Sequence, residues 1–379
     1  MIQTEKFYDE LVNNHIKFFT GVPDSLLKSF CAYIKDNVEP EKNITAANEG
    51  NAVAIAAGYY LATGKIGLVY MQNSGIGNAV NPVASLIDEK VYKIPMLMVI
   101  GWRGEPGKKD EPQHKKQGLV TLDLLEVLGI NYKVIDENTS EDEMKEYIKS
   151  AYEYMTEKSA PFAFVIKKNT FSEYKLQKVS EYKNLTLSRE KAIEIIVSNM
   201  NKNSAIVSTT GMASRELFEI REKYNEGHEK DFLTVGSMGH ASQIALGIAL
   251  SNKDKNVYCI DGDGAVLMHL GGLSIIGSLD VKNYKHIVIN NGAHDSVGGQ
   301  ETAGFKINIS SIAASCGYKG IYSCSTEEEL LKYIKLIDKI DGPVLLEVKV
   351  KKGARSNLGR PTRTPIENKE DFMRFLNQD

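Results

Sequence analysis

The run from Asn256 to Gln300, NVYCIDGDGAVLMHLGGLSIIGSLDVKNYKHIVINNGAHDSVGGQ, limits the possible folds of this chain more than any other stretch. Val257 to Ile260 is a short apolar run of strand type, stopped abruptly by Gly262-Asp263-Gly264. From Val266 to Leu279 apolar residues recur at helical spacing, and His286 to Ile289 reads as a buried strand. This order predicts a β-α-β unit. The C-terminal ends of its two strands open on the same sheet edge, where open α/β sheets bind ligands. Asp263 stands at the first end and Asn290-Asn291 at the second. A carboxylate and an amide oxygen can therefore converge there, and oxygen ligands without a soft donor suit Mg²⁺ on a phosphate. Each piece alone has a plainer explanation, since Gly-Asp-Gly makes tight turns and Asn-Asn-Gly makes hairpin turns. Both at successive strand ends of one crossover favour a ligand.

The 379 residues suffice for two domains with proper cores, and the two halves repeat one plan. ITAANEGNAVAIAAGYYLATGK (Ile44 to Lys65) answers LTVGSMGHASQIALGIALSNKDK (Leu233 to Lys255), and GLVYMQNSGIGNA (Gly67 to Ala79) answers NVYCIDGDGAVLM. Strand and helix alternate in each half, so the expected class is α/β, with two doubly wound parallel sheets. Domains are expected at 1–180 and 181–379. The polar stretch Ser172 to Leu187 is read as a linker, and Ser188 as the N-cap of the helix that follows.

Net charge −3, without a basic, aromatic-interleaved patch, argues against a nucleic-acid partner. The charged N-terminus is no signal peptide, and no apolar run reaches membrane-spanning length. A cytoplasmic protein is expected. Cys31, Cys259, Cys316 and Cys324 lack metal-type spacing and read as buried or incidental thiols.

Other residues have local readings of their own. Glu49 precedes Gly50 and an alanine-rich helix, where the dipole alone favours a glutamate. Met238, in Gly236-Ser237-Met238-Gly239, could be core filler. Asp24 and Ser25 in GVPDSLL both fit a helix N-cap. Gln72 to Asn78 is a Gly-rich turn with neither Walker nor Rossmann spacing. The loop Gly101 to Gly118 gathers Arg103 and several lysines around His114, and the tail adds Arg355, Arg360 and Arg363.

Taken together, GVPDSLL, NEG, QNSGIGNAVNP, DEPQH, GSMGHA, GDG with NNGAHDSVGGQ, and LGRPT resemble the thiamine diphosphate-dependent decarboxylases over essentially the whole chain. The resemblance is to the phosphonopyruvate decarboxylases, with the sulfopyruvate decarboxylases as near relatives. Both groups lack the middle domain of larger decarboxylases. The resemblance implies thiamine diphosphate and Mg²⁺ as cofactors, with a pyrimidine-binding domain at 1–180 and a diphosphate-binding domain at 181–379. Asp263, the amide of Asn291 and the carbonyl of Ala293 would hold Mg²⁺, within a cofactor loop of Gly262, Asp263, Gly264 and Ala265. Glu49 would hydrogen-bond the pyrimidine N1′. Met238 would prop the cofactor, and the carbonyl of Gly236, beside Ser237, would accept from the 4′-amino group. Asp24 or Ser25 would face the substrate, and His114 stands where larger decarboxylases carry paired histidines.

The implied reaction is decarboxylation of 3-phosphonopyruvate to phosphonoacetaldehyde and CO₂, in phosphonate biosynthesis. It would occur in a homo-oligomer whose active sites lie between subunits. Alternatives are the same chemistry on sulfopyruvate or a simple 2-keto acid, a thiamine-dependent synthase, and a catalytically silent thiamine-binding subunit. A phosphonate that stays bound throughout needs cations and donors around it, arginine above all. Arg103, His294, Ser296, Gln300, Arg355 and Arg360 are the expected substrate contacts.

Overall fold

The computed structural model describes residues 1–178 and 184–377, which form two compact units, Met1–Val179 and Ser180–Asp379. The expected boundary at 180/181 lies outside the described residues.

The first unit carries strands β1 (Phe19–Gly21), β2 (Asn43–Thr45), β3 (Leu68–Gln72), β4 (Leu97–Gly101), β5 (Asn131–Ile135) and β6 (Phe162–Ile166). They form one parallel sheet in the order β2-β1-β3-β4-β6-β5. Successive residues of a strand face opposite ways, and here both faces are covered. Leu68, Tyr70, Leu97, Val99, Phe164 and Ile166 join the cluster of Phe7, Phe19 and Phe30. Val69, Met71, Met98, Ile100, Ala163 and Val165 join Ala52, Val53 and Ala56 on the other side. Two buried faces explain why these strands read as continuous apolar runs rather than alternations.

The second unit has β7 (Ala205–Ser208), β8 (Asp231–Leu233), β9 (Val257–Gly262) and β10 (Tyr284–Asn290). A two-stranded antiparallel ribbon follows, β11 (Ala293–His294) with β12 (Gln300–Glu301), and then β13 (Gly320–Cys324) and β14 (Val344–Lys349). The main sheet runs β13-β14-β10-β9-β7-β8, all parallel. Read from the β8 end, this is the order of the first sheet, strand for strand. The repeat seen in the sequence is therefore a repeat of topology, and no middle domain separates the copies.

Two local expectations are corrected and a third holds. The single helix expected from Val266 to Leu279 is two, Asp263–Met268 and Gly272–Ser278. Gly271 and Gly272 fall at the break, where helix propensity is poorest, and the Gln243 side chain donates to the Gly272 carbonyl there. Neither Asp24 nor Ser25 is an N-cap, because the next helix, Lys28–Asn37, begins after Leu27 without a side-chain cap. Ser188 does cap the helix Arg189–Asn199, accepting from the Lys191 amide. In the described start of the linker, the amides of Gln177 and Lys178 donate to Asp36, which pins the segment to the first unit.

Candidate active site

Both clusters of expected site residues lie at the C-terminal ends of the parallel strands, one cluster in each unit. In the first unit Glu49 opens the helix Glu49–Thr63, whose N-cap Asn48 accepts from the Asn51 amide at 2.9 Å. Ala52, Val53, Ala56 and Ala57 bury the helix on the sheet, and small side chains let it pack closely enough to bury Glu49 as well. Asn78 Nδ2 donates to Glu49 Oε2 at 2.7 Å. The other face of the carboxyl lies against Gly75, where a β-carbon would come within 2.3 Å of Oε1. Burial raises the Glu49 pKa above the ordinary glutamate value, and the Asn78 bond offsets only part of the rise. The carboxyl is thus suited to carry a proton and donate it.

The loop after β1 is latched by Asp24, which is fully buried. Its Oδ1 accepts from the Leu26 amide at 2.9 Å and its Oδ2 from Gln72 Nε2 at 2.8 Å. Ser25 is only half-buried and accepts from Arg103 Nη1 at 2.8 Å. Arg103 also forks onto Asp110, through Nε at 2.9 Å and Nη2 at 2.6 Å. His114 Nδ1 lies 2.9 Å from the same carboxylate. Burial alone would raise the Asp110 pKa. The Arg103 and His114 bonds and the amides of Glu111 and Gly104 outweigh it and hold the carboxyl far below its usual range. Asn73 fixes the Arg103 backbone, donating to its carbonyl at 2.8 Å and accepting from its amide at 3.1 Å.

In the second unit Asp263 follows β9 and is buried. Burial lifts its pKa to about 6, although Thr302 donates its hydroxyl to Oδ2. The backbone N–H of Asn291 points at Asp263 Oδ1 from 3.4 Å, so the ends of β9 and β10 do meet. The adjacent asparagines have different duties. Asn290 is fully buried and donates to the Gly304 carbonyl and to Glu347, both at 2.8 Å. Asn291 donates its Nδ2 to Asp295 Oδ2 at 2.7 Å, and its Oδ1 accepts from the Ala293 amide at 3.1 Å.

Asp295 also accepts from Arg189 at 3.0 Å and from the Gly353 amide at 3.0 Å. Arg189 in turn forks onto Glu216 at 2.8 and 3.0 Å. Sequence reasoning passed over Asp295, Thr302 and Asn78. Asp295 sits in AHDS, four positions past Asn291, but nothing in its spacing distinguishes it from a turn aspartate.

The loop Gly236 to Gly239 packs beside Gly264. A β-carbon on Gly264 would lie 3.0 Å from the His294 ring and 3.4 Å from Met238 Cε, so Met238, His294 and the Gly-Asp-Gly turn share one space. Ser237 takes a left-handed φ of 51° in this loop and is exposed. Burial lowers the His294 pKa to about 4, so its imidazole is neutral at physiological pH. Gln300 faces His294 across the ribbon and is buried, and neither polar atom of its carboxamide has a hydrogen-bond partner among the described residues. Buried amides are ordinarily satisfied, so Gln300 fits a place where a bound group completes the bonding.

The remaining expected substrate residues are more scattered. Ser296 is exposed near Gly211. Arg355 is ion-paired with Glu190 and Glu219. Arg363 is paired with Asp371, and Arg360 is exposed.

The oxygen set of Asp263 and Asn291, the orphaned Gln300 amide and the cradle at Gly264, which a β-carbon would crowd, suit a divalent cation with a phosphorylated cofactor. Comparison with known proteins points the same way. Residues 3–126 match the thiamine pyrophosphate enzyme N-terminal TPP binding domain, and residues 209–348 the C-terminal TPP binding domain. A phosphonopyruvate decarboxylase of Streptomyces viridochromogenes is 34% identical, covering 94% of this chain and 90% of that one. A sulfopyruvate decarboxylase of Methanosarcina acetivorans is 27% identical over 98% of this chain and 96% of its own. A sulfopyruvate decarboxylase subunit beta of Methanocaldococcus jannaschii is 44% identical over 36% of this chain and 70% of its own.

Proposed function

This chain belongs to the thiamine pyrophosphate enzymes and is a decarboxylase of the phosphonopyruvate and sulfopyruvate type, and on that premise we propose that it converts 3-phosphonopyruvate to phosphonoacetaldehyde and CO₂. The observation that carries the proposal is the meeting of Asp263 and Asn291 at adjacent strand ends. In this reading Asp263, the Asn291 side-chain oxygen and the Ala293 carbonyl hold Mg²⁺, and through it the diphosphate. When bound, thiamine diphosphate supplies the electron sink that decarboxylation of a 2-keto acid requires.

The other roles belong to this chain's own residues. Glu49 would offer its carboxyl proton to the pyrimidine as a hydrogen bond, and Asn78 keeps the carboxyl in place. Met238 would support the cofactor, beside Gly236 and Ser237. Ser25 and His114 flank the substrate, while Asp24 serves as the latch of their loop. His294, neutral at working pH, and Gln300 offer donors without an added charge.

Phosphonopyruvate brings a carboxylate and a phosphonate, and the phosphonate remains after CO₂ leaves. Leaving it without cations would be very costly. Of the arginines, Arg355 keeps two carboxylates beside it that would repel an anion. Arg103 is likewise held by the Asp110 carboxylate. Arg360, in the LGRPT run that carries the resemblance, is the primary phosphonate contact proposed here. The resemblance and the split subunits of some relatives support a homo-oligomer in which Glu49 of one chain works with Asp263 of another.

Purified protein with thiamine diphosphate and Mg²⁺, assayed against phosphonopyruvate, sulfopyruvate and pyruvate, tests the proposal. It requires phosphonopyruvate to have the highest kcat/KM. A preference for sulfopyruvate would move the chain to the second reading, favoured by its near full-length match to a sulfopyruvate decarboxylase. No turnover of any of the three would reject both.

A further inference from the structure

Cys259, Asp261 and His286 meet inside the second unit and have no part in the proposed reaction. Strand register pairs Cys259 with His286 across β9 and β10, and Asp261, two residues further along β9, points to the same face. All three are fully buried. Cys259 lies in the core cluster of Ala245, Tyr284, Ala313 and Tyr318.

Among the described residues, two of these side chains have one polar atom anchored and the other without a partner. His286 Nδ1 lies 3.2 Å from the Tyr318 hydroxyl, while its Nε2 has no hydrogen-bond partner. Asp261 Oδ1 accepts from the Gly262 amide at 3.0 Å, while Oδ2 has no partner. The two bare atoms are 3.5 Å apart, and one ligand atom from each of the three residues falls within 4.8 Å of the others. A hydrogen bond between imidazole and carboxylate closes to about 2.7–2.9 Å. A separation of 3.5 Å is instead near the edge of a coordination tetrahedron, about 3.4 Å for bonds of roughly 2.0–2.1 Å.

We propose that Cys259, Asp261 and His286 bind a transition-metal dication of the zinc class, at a structural site separate from the Mg²⁺ site. A sulfur donor with an imidazole and a carboxylate selects such an ion over Mg²⁺ or Ca²⁺, which prefer oxygen alone. Thiolate and carboxylate together balance the dication, so the buried site carries no net charge. In the metal-free protein burial holds the Cys259 pKa well above its ordinary value. Coordination displaces the thiol proton to solvent, as metal binding to thiols requires. The Tyr318 hydroxyl orients the His286 ring from outside, the kind of support that ligating histidines receive. A water completes the tetrahedron. Because the three residues are sealed from solvent, the ion enters during folding. Its place one residue behind Gly262 braces the end of β9.

The test is metal analysis of the full chain made in medium supplemented with Zn²⁺ or Co²⁺, then passed through chelator and gel filtration. About one equivalent per chain is expected, as for a structural site that forms with the fold. The cobalt protein should show a thiolate-to-metal charge-transfer band. Both signals should vanish in Cys259→Ser and His286→Gln and persist in Asp263→Ala, which separates this ion from the one in the proposed reaction. Should Cys259→Ser fail to fold, His286→Gln and the cobalt spectrum of the unmodified chain decide. Absence of bound metal and of the band, even after refolding with Co²⁺, overturns the proposal. So does a metal lost from Asp263→Ala but kept in the Cys259 and His286 variants.

Discussion

Asn78 holds the Glu49 carboxyl at 2.7 Å from one side while Gly75 leaves no space on the other. This grip keeps an acid buried where folding alone would not place one. Its ionised form is disfavoured in the folded chain, so the Glu49 pKa is raised above its unfolded value. The folded state therefore holds the proton longer than the unfolded state does. The stability Glu49 contributes is present below the ordinary glutamate pKa and is lost as pH rises through the raised one. Glu49→Gln should thus make the cofactor-free protein more stable at pH 8 than the parent, with little difference at pH 4. Denaturant unfolding at both values checks this. The same variant should bind cofactor yet lose roughly 10²–10⁴-fold in its C2 proton exchange, the usual contribution of a positioned acid.

Gly75→Ala acts on the same acid without removing it. The added methyl would sit 2.3 Å from Glu49 Oε1, so the carboxyl must leave its position. Activity should fall as far as in Glu49→Gln, while near-normal turnover would mean that the carboxyl has another productive placement.

Asp295 fixes which way the Asn291 amide faces. By accepting from Nδ2 it fixes Oδ1 on the other side, where Oδ1 accepts from the Ala293 amide and keeps its second lone pair for a cation. Asp295→Ala should weaken Mg²⁺-dependent cofactor binding by about 10–100-fold, the range seen when ligand-orienting partners are removed. Asp263→Ala should weaken it further, and calorimetry with Mg²⁺ and thiamine diphosphate compares the two. Equal binding by Asp295→Ala and the parent would separate the aspartate from the metal.

Substrate choice depends on the arginines. Arg360→Ala should lower kcat/KM for phosphonopyruvate by roughly 2–5 kcal/mol, as for truncating a charged pair at a binding surface, and leave pyruvate turnover unchanged. An equal loss on both substrates would make the arginine structural.

Mixing Glu49→Gln with Asp263→Ala chains tests where the active site is assembled. Partial recovery of activity is expected when each interface pairs an intact Glu49 with an intact Asp263. Verified mixed oligomers without recovery would place both residues of one site on one chain.

Much of this arrangement was legible in the sequence because two signals were local. Apolar runs with glycine breaks marked the parallel strands, and residues at strand ends in such sheets fall on one edge. That was enough to bring Asp263 and the pair Asn290-Asn291 to one edge, while Glu49 and the choice of Asn291 came from the resemblance. The partners were hidden because they depend on side-chain direction. Asn78 reaches Glu49 from 29 positions away, and Thr302 reaches Asp263 from 39. The cysteines are free, and Cys31, Cys259 and Cys324 are buried, as expected. Cys259 finds Asp261 and His286 through strand register, which spacing between cysteines does not reveal. The helix break at Gly271-Gly272 and the true start of the helix at Lys28 were missed because periodicity continues across both.

The shared strand order of the two sheets bears on how acid chemistry can be divided. After the second strand one copy presents Glu49 and the other presents Ser237 and Met238. After the third strand one presents Gln72 and Asn73, and the other Gly262 and Asp263. In the proposed reaction one carboxyl must keep its proton in dry surroundings, while the other must give up its proton to hold a cation. Those demands oppose each other at a single position. A scaffold present twice lets each carboxyl occupy its own slot, and the counterpart slot in the other copy stays uncharged, so tuning one acid leaves the other undisturbed.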